Sequence, residues 1–405
     1  MTVLRFAIES VEVAPIINSR GGLTDEYTLY LAGGDHGRGS APQGETRSRF
    51  ETSAASLGSS EVVRQLHADG IVGREVSQEE LDAYLVRNAA QFGAAAAFSL
   101  SVAFFEATLS RVASGRSTHM PRFSLNILNG GRHAYTNPVL SDFHEFLLVP
   151  RHDDLERLLD DHRIIQARVR EALAQHSTVR VAGNDVHALG RRANRDCIEF
   201  LLDIVDGAGL ASRYDLMIDA AAGQWWNGSA YALDVAERKT MAPDELQDYW
   251  RALIRDYPLR FLEDPFAEDD TDQWRKLVAG AEHCRVVGDD VHAGDVRRIR
   301  DLLAAGCMTG LVLKPDQAGT VSATVAALTA GSEAGVPRFL SHRSISTDSL
   351  VLAHLLVRYD VELAKLGPMN SDFSAVQKMN EVLRQVRTAR QANDRSVLPD
   401  EQAHG

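Results

Sequence analysis

Five short apolar runs in the second half of the chain each end in charged residues. They cover residues 215–219, 259–264, 285–290, 310–314 and 337–344, and they end in Asp219, Glu263, Asp289, Lys314 and His342, respectively. The last four ends are separated by roughly 25 to 30 residues, the length of one strand–helix unit. Buried parallel strands read as continuous hydrophobic runs, and helix-length segments lie between these runs. The pattern predicts an α/β fold built from repeated strand–helix units.

Charged residues at the carboxyl ends of successive strands are typical of the active-site rim of a (β/α)8-type barrel. Three converging carboxylates, from Asp219, Glu263 and Asp289, would suit a hard divalent cation such as Mg²⁺. Any one of them, taken alone, is better explained as a helix N-cap or a solvated turn residue. Because the three lie in successive units and are followed by a lysine and a histidine, the pattern favours a metal site.

The first part of the chain has a different pattern. Residues 3 to about 32 alternate apolar and polar positions around a Gly-containing turn at residues 18–22, which predicts a β-hairpin. A punctuated polar stretch follows, and helical periodicity then dominates from about residue 51 to 112. We therefore predict an N-terminal α+β capping domain in residues 1–120, with a mobile active-site loop, and a β/α barrel in residues 121–405.

The composition of the chain limits the classes of partner that it can bind. The chain has 405 residues, of which 44% are hydrophobic and 24% charged, and its net charge of −13 argues against a nucleic-acid partner. The most apolar run, residues 93–105, is too short to span a bilayer and predicts a buried helix. Cys197, Cys284 and Cys307 are odd in number and lie in apolar contexts, so they are interpreted as reduced thiols. With no signal-peptide pattern at the N-terminus, we expect a cytoplasmic protein without a membrane partner.

A lysine facing a multi-carboxylate metal site suits one reaction in particular. It can abstract a proton next to a substrate carboxylate while Mg²⁺ stabilises the developing charge. His342 and Arg343 are cationic donors suited to a phosphate. We expect the cation to lower the pKa of Lys314, which would make it a competent base near neutral pH.

Longer motifs extend this interpretation over nearly the whole chain. They are residues 18–21 (Asn-Ser-Arg-Gly), 125–133 (Leu-Asn-Ile-Leu-Asn-Gly-Gly-Arg-His), 144–146 (His-Glu-Phe), 262–270 (Leu-Glu-Asp-Pro-Phe-Ala-Glu-Asp-Asp), 287–290 (Val-Gly-Asp-Asp), 313–320 (Leu-Lys-Pro-Asp-Gln-Ala-Gly-Thr), 341–344 (Ser-His-Arg-Ser), 365–367 (Lys-Leu-Gly) and 379–384 (Met-Asn-Glu-Val-Leu-Arg). In this order they resemble enolase. The resemblance implies a barrel of the enolase kind, a small anionic phospho- or phosphono-substrate, and a homodimer or higher homo-oligomer.

The resemblance also implies roles for individual residues. Each role belongs to the position that matches the family motif: Asp219, Glu263 and Asp289 as ligands of the tighter Mg²⁺, Lys314 as the base for the C2 proton, Glu145 as its carboxylate neighbour, Lys365 near the substrate carboxylate, Arg343 and Ser344 at the phosphoryl group, and His133 and His342 lining the pocket. The remaining histidines at loop positions, His187 and His292, have no counterpart, and their roles stay open.

Three departures from the family pattern surround this pocket. The mobile loop carries Thr46 where a serine ligates a second Mg²⁺, and the charged Arg47 beside it is new. Asp185 replaces a glutamate as the general acid, which shortens its reach by one methylene. The loop between His133 and Glu145 is longer than usual.

Together the departures predict the same elimination on an altered substrate. The enolase-like branch that forms carboxyphosphonoenolpyruvate in phosphonate and phosphinate antibiotic biosynthesis fits this description, with Arg47 binding the extra carboxylate. Two alternatives stay open: an ordinary phosphopyruvate hydratase whose loops have drifted, and a non-catalytic homologue. The retained carboxylates argue against the last, because an idle site has no reason to keep buried charges together.

Overall fold

The structure is a computed structural model that describes residues 4–44, 48, 56–112, 117–130, 136–192, 194–367, 369 and 373–397. Its strands are β1 (Phe6–Ile17), β2 (Leu23–Leu31), β3 (His36–Ser40), β4 (Glu75–Val76), β5 (Arg122–Phe123), β6 (Leu125–Asn129), β7 (Glu145–Pro150), β8 (Thr178–Val181), β9 (Asn184–His187), β10 (Tyr214–Asp219), β11 (Tyr231–Leu233), β12 (Lys239–Met241), β13 (Leu259–Glu263), β14 (Arg285–Gly288), β15 (Gly310–Leu313), β16 (Arg338–Ser341) and β17 (Leu363–Lys365).

The α-helices are α1 (Ser59–Ala68), α2 (Gln78–Arg87), α3 (Ala89–Phe92), α4 (Ala94–Thr108), α5 (Leu155–Leu173), α6 (Asn194–Gly207), α7 (Pro243–Asp256), α8 (Thr271–Gly280), α9 (Val296–Ala304), α10 (Pro315–Ala318), α11 (Val321–Glu333), α12 (Val351–Arg358) and α13 (Phe373–Val397). Short 3-10 turns occupy Ala211–Arg213 and Ala222–Trp225. In the described part of the chain, no helix combines the length and the apolar character needed to cross a membrane.

The N-terminal strands form a four-stranded sheet in the order β3-β2-β1-β4. β1 and β2 pair as the antiparallel hairpin that the alternating pattern predicts, with Ile17 opposite Leu23 beside the turn. β3 packs so closely on α4 that a Cβ atom on Gly37 or Gly39 would lie about 2 Å from helix backbone oxygens. The apolar run at residues 93–105 is therefore a buried helix, as its length predicts.

The second sheet is the predicted barrel. Its nine strands follow the order β5-β17-β16-β15-β14-β13-β10-β7-β6. Only Ser124 separates β5 from β6, so one interrupted strand supplies both edges of the sheet and closes it into a barrel. β7 runs antiparallel to both of its neighbours, β6 and β10. The remaining neighbours in this sheet, from β10 through β13 to β17 and β5, pair in parallel.

The barrel interior is filled with apolar side chains. They come from the strands around the barrel: Leu147, Val149, Met217, Phe261, Val287, Val312, Phe339 and Leu363. Phe261 and Phe339 meet edge to face with ring centroids 5.4 Å apart. This layer excludes water from below, so that polar chemistry is confined to the rim above it.

A buried ion cluster joins α4 to the barrel helices. Nδ1 of His354, on α12, lies 2.6 Å from Oε1 of Glu106 on α4, and Nε2 lies 3.5 Å from Oε1 of Glu381 on α13. Burial alone would lower the pKa of His354, but the two carboxylates outweigh it and raise the pKa to about 9. His354 is therefore charged at neutral pH and holds the three helices together.

The cluster predicts a pH-dependent stability. The folded pKa of His354 exceeds its ordinary value of 6.5. Its contribution is thus complete below pH 6.5 and disappears as pH rises through 9. The shift corresponds to about 3 kcal/mol. In urea unfolding at pH 6 and pH 9.5, we expect His354→Gln to lose most of the pH dependence of the parent. His119→Gln, which changes an exposed histidine, should retain it. Equal pH dependence in the His354 variant would contradict this assignment.

Candidate active site

The alternation of side chains along the barrel strands explains why the rim is charged. Side chains two positions apart on a strand point to the same face. Each of the following rim residues lies two positions beyond an interior apolar residue on its own strand or at that strand's end: Asp219 beyond Met217, Glu263 beyond Phe261, Asp289 beyond Val287, Lys314 beyond Val312, and Lys365 beyond Leu363. Glu145 lies two positions from Leu147 on the antiparallel β7. The sequence period thus directs all six charged side chains towards the barrel axis.

Lys365 lies at the centre of three of these carboxylates. Its Nζ is 2.7 Å from Oε2 of Glu145, 3.0 Å from Oδ2 of Asp219 and 2.9 Å from Oε2 of Glu263. Strand register places the acids together, since Asp219 is opposite both Glu145 and Glu263. Burial would lower the pKa of Lys365, but the surrounding acids, Asp219 first, raise it well above its usual value. Glu263 is fully buried, and its pKa is raised by burial and by Asp219.

Lys314 forms the second ion pair of the rim. Its Nζ contacts Oδ2 of Asp289, and both side chains are largely buried. Burial would lower the pKa of Lys314, but Asp289 and then Asp290 outweigh it, and the pKa is raised. The sequence-based expectation of a lowered pKa assumed a bound cation and stays a prediction. The neighbouring carboxylates, which it did not include, act in the opposite direction.

These ion pairs border a cavity of about 560 Å³ between the barrel rim and the N-terminal hairpin. Seven residues predicted for the site line it: Glu145, Asp219, Lys314, His342, Arg343, Ser344 and Lys365. Glu263 and Asp289 are buried behind the cavity wall, where they pair with Lys365 and Lys314, respectively. Arg343 is also held in place, since its Nη1 donates to Oδ2 of Asp316 at 3.0 Å. The cavity therefore presents cationic groups and carboxylates within one space.

The cavity also contains residues to which the sequence interpretation gave no role. Asn126 donates from Nδ2 to Oε1 of Glu145 at 2.6 Å and so orients that carboxylate. His144 and Arg20 line the cavity as well, the latter from the turn of the hairpin. Both belong to motifs that the sequence analysis singled out, at residues 144–146 and 18–21, so their positions were available as a signal.

Carboxylates suited to a cation are present at the rim. Oδ1 of Asp289 is buried and has no hydrogen-bond partner among the described residues. Oxygens of Asp264, Asp289 and Asp290 lie within 4.8 Å of one another. All these donors are carboxylate oxygens, the ligands that Mg²⁺ prefers, so the donor set fits this ion. Asp289 is common to this cluster and to the set predicted from sequence.

Some predicted residues lie elsewhere. Asp185, the predicted general acid, is on the exposed β8–β9 hairpin, is absent from the cavity lining, and accepts a 3.0 Å hydrogen bond from Arg180. His292 is fully buried; its Nε2 donates to the Gly288 oxygen, and burial lowers its pKa to about 4, which makes it a structural neutral histidine. The backbone of His187 pairs with residues 138 and 140. His133, Thr46 and Arg47 lie outside the described residues.

A substitution tests the role of Asp185. If its carboxylate protonates the leaving hydroxyl, Asp185→Asn should slow elimination by roughly 10²- to 10⁴-fold. Exchange of the substrate C2 proton with D₂O should continue. The free energy of unfolding should change by less than about 1 kcal/mol, because an exposed ion pair contributes little. Arg180→Gln, which removes the ion pair and keeps the carboxylate, is the control. Elimination at the parent rate in Asp185→Asn would show that Asp185 is not the acid.

Known proteins with similar sequences identify the family of the chain. The family model described as the C-terminal TIM barrel domain of enolase matches residues 117–392. A protein named Enolase from Aeropyrum pernix is 28% identical over 404 residues, covering 91% of each chain. Another from Beutenbergia cavernae is 28% identical, covering 93% of this chain and 94% of its own. A third, from Acidothermus cellulolyticus, is 29% identical and covers 93% of each.

The family match covers more than half of the chain and includes every strand of the barrel. Its start at residue 117 coincides with the segment after α4. The residues at the carboxyl ends of the strands are those that carry charge at the rim. The chain belongs to the enolase family of lyases.

Proposed function

We propose that this chain is a Mg²⁺-dependent lyase that removes water from a 2-phosphoglycerate-like substrate and forms an enolpyruvyl product. The observation that carries the proposal is the placement of Lys314 and Lys365 on separate carboxylate groups around one cavity. In such a cavity, a base and anion-binding groups can act on the same bound substrate. We further propose that the substrate carries an additional carboxyl group on phosphorus, so that the product is carboxyphosphonoenolpyruvate.

Each step can be assigned to side chains of the chain. Lys314 takes the proton from C2, and the electron pair of that C–H bond is first delocalised onto the substrate carboxylate. It then forms the C2–C3 double bond as the C3–O bond breaks. The family resemblance gives Asp185, which lies outside the cavity lining, the role of donating a proton to the departing hydroxyl, which leaves as water. Arg343 and Ser344 bind the phosphoryl group, and Lys365 lies near the substrate carboxylate. Asp219, Glu263 and Asp289 would hold Mg²⁺, which supplies electrostatic stabilisation of the charge that develops on that carboxylate.

The specialised substrate rests on the departures of the sequence from the family pattern. Thr46, Arg47 and Asp185 depart from the family pattern at positions that the resemblance assigns to the active site, whereas Lys314 and the carboxylates are kept. A carboxyl group on phosphorus adds a negative charge, and an arginine can bind a carboxylate through two parallel hydrogen bonds. The second candidate is an ordinary phosphopyruvate hydratase. The similarity to proteins named Enolase over more than nine-tenths of the chain favours this candidate.

Phosphorus NMR can separate these candidates. The protein and Mg²⁺ would be incubated with 2-phosphoglycerate, and separately with its analogue that carries a carboxyl group on phosphorus. The proposal predicts that the carboxyphosphono compound is dehydrated with the higher kcat/KM. Efficient turnover of 2-phosphoglycerate alone would establish the ordinary hydratase. Turnover of neither compound would contradict both candidates and favour a non-catalytic role.

Arg47→Ala tests the specialised reading through one side chain. On the carboxyphosphono compound we expect kcat/KM to fall by about 10- to 100-fold, since a hydrogen bond to a charged group contributes about 1.5–3 kcal/mol. On 2-phosphoglycerate it should stay near the parent value. Arg38→Ala, which changes an exposed arginine of β3, is the control. An equal loss on both compounds, or no loss on either, would contradict the role of Arg47.

A further inference from the structure

Asp264 follows the proposed ligand Glu263, but its side chain serves a neighbouring strand. It is only 4% exposed. Its Oδ1 accepts a 2.9 Å hydrogen bond from the backbone N–H of Asp289, and its Oδ2 accepts a 2.8 Å bond from the N–H of Asp290. One carboxylate therefore accepts hydrogen bonds from two successive backbone amides just beyond the end of β14. The first of these amides belongs to the proposed ligand Asp289.

The backbone of Asp264 forms hydrogen bonds with both neighbouring strand ends. Its N–H donates to the carbonyl of Val287 at 3.0 Å, and its carbonyl accepts from the N–H of Ala222 at 2.9 Å. Ala222 lies three residues beyond Asp219 on the other neighbouring strand end. Asp264 thus links the ends of β10, β13 and β14, which are the three elements that carry the proposed Mg²⁺ ligands.

The backbone conformation of Asp264 also supports this linking role. The φ angle of Asp264 is 44°, in the left-handed region that non-glycine residues seldom adopt. Such conformations persist where the surroundings fix them, and they concentrate at functional sites. Aspartate is among the residues that tolerate this region, and its short side chain reaches back to nearby backbone amides.

We propose that Asp264 is a positioning residue that holds the backbone of Asp289 and Glu263 in the geometry needed for Mg²⁺, without binding the ion itself. The inference rests on the proposed function, since it assumes that Asp219, Glu263 and Asp289 are the ligands. The proximity of oxygens from Asp264, Asp289 and Asp290 also allows Asp264 to be a ligand. Both of its oxygens are already hydrogen-bonded to amides, however, which favours the positioning role.

The test is a calorimetric titration of the full-length protein with Mg²⁺. In Asp264→Asn an amide NH₂ replaces one oxygen and would face a backbone N–H. We expect Mg²⁺ to bind 10- to 100-fold more weakly, which is the usual effect of losing a residue that supports a ligand. The control is Asp82→Asn, because Asp82 is equally buried and accepts a 2.8 Å bond from the N–H of Ser322 away from the rim. Near-UV circular dichroism would confirm that both variants are folded.

Two further measurements separate positioning from ligation and from general destabilisation. Excess Mg²⁺ should restore kcat in Asp264→Asn, because the ligand atoms are still present. In crystals of the parent with Mn²⁺, Asp219, Glu263 and Asp289 should contact the ion, and Asp264 should not. Parent-like Mg²⁺ affinity in Asp264→Asn, equal weakening in Asp82→Asn, or direct contact between Mn²⁺ and Asp264 would overturn the inference alone. A parent protein that binds no Mg²⁺ would instead overturn the proposed function on which it rests.

Discussion

Replacing Lys314 with alanine should abolish both product formation and exchange of the substrate C2 proton with D₂O. Lys314 borders the cavity, and its Nζ is the basic group that we assign to the C2 proton. Loss of a general base typically lowers the rate by roughly 10²- to 10⁴-fold. Exchange and elimination should fall together, because elimination requires the proton to leave first. The measurement is deuterium incorporation at C2 by proton NMR, alongside product formation by phosphorus NMR.

Two comparison variants make this result specific. Lys314→Arg keeps a positive charge beside Asp289, but a guanidinium does not give up its proton, so we expect the same loss of exchange. Lys276→Ala removes an exposed lysine that pairs with Asp244, and activity should stay at the parent level. Continued C2 exchange in both Lys314 variants would assign the base elsewhere, with Glu145 the next candidate.

The rim was predictable from sequence because it depends on local order. Each apolar run gives a strand, and the charged residue that ends the run lies at the carboxyl end of that strand, on the barrel rim. Asp219, Glu263, Asp289 and Lys314 were identified in this way, and the barrel is confirmed. Their roles in binding and catalysis stay predictions.

Contacts between distant residues could not be obtained in this way. Lys365 approaches three acids from strands far apart in the chain, and only the closure of the barrel brings them together. The raised pKa of Lys314 follows from Asp289 and Asp290, which the pairing of β14 with β15 brings beside it. In the sequence, Asp264 resembles a candidate metal ligand. Only the structure shows that it lies in a left-handed turn and that its carboxylate accepts a hydrogen bond from the backbone N–H of Asp289.

The position of Asp185 shows a different limit. The family resemblance gives the Asp185 carboxylate a catalytic role. The structure places Asp185 on an exposed hairpin, where its carboxylate pairs with Arg180. A motif fixes the order of residues along the chain, whereas catalysis requires the side chain to reach the substrate.

The identity of the Mg²⁺ ligands leads to the second large expected effect. Asp289→Asn should reduce Mg²⁺ affinity by at least 10²-fold and abolish turnover, because Asp289 belongs to both possible ligand groups and its Oδ1 is buried without a hydrogen-bond partner among the described residues. Asp269→Asn, on the exposed loop after β13, should bind Mg²⁺ like the parent.

Two further variants decide between the groups, since Asp219 belongs only to one and Asp290 only to the other. If Asp219, Glu263 and Asp289 are the ligands, Asp219→Asn should weaken Mg²⁺ binding about as much as Asp289→Asn does. Asp290→Asn should weaken it by less than about tenfold, because it removes a nearby charge but no ligand. Calorimetric titration with Mg²⁺ measures both effects directly, without requiring a known substrate. The reverse order, with Asp290→Asn the more damaging change, would assign the ion to Asp264, Asp289 and Asp290 and would leave Asp219 as a partner of Lys365.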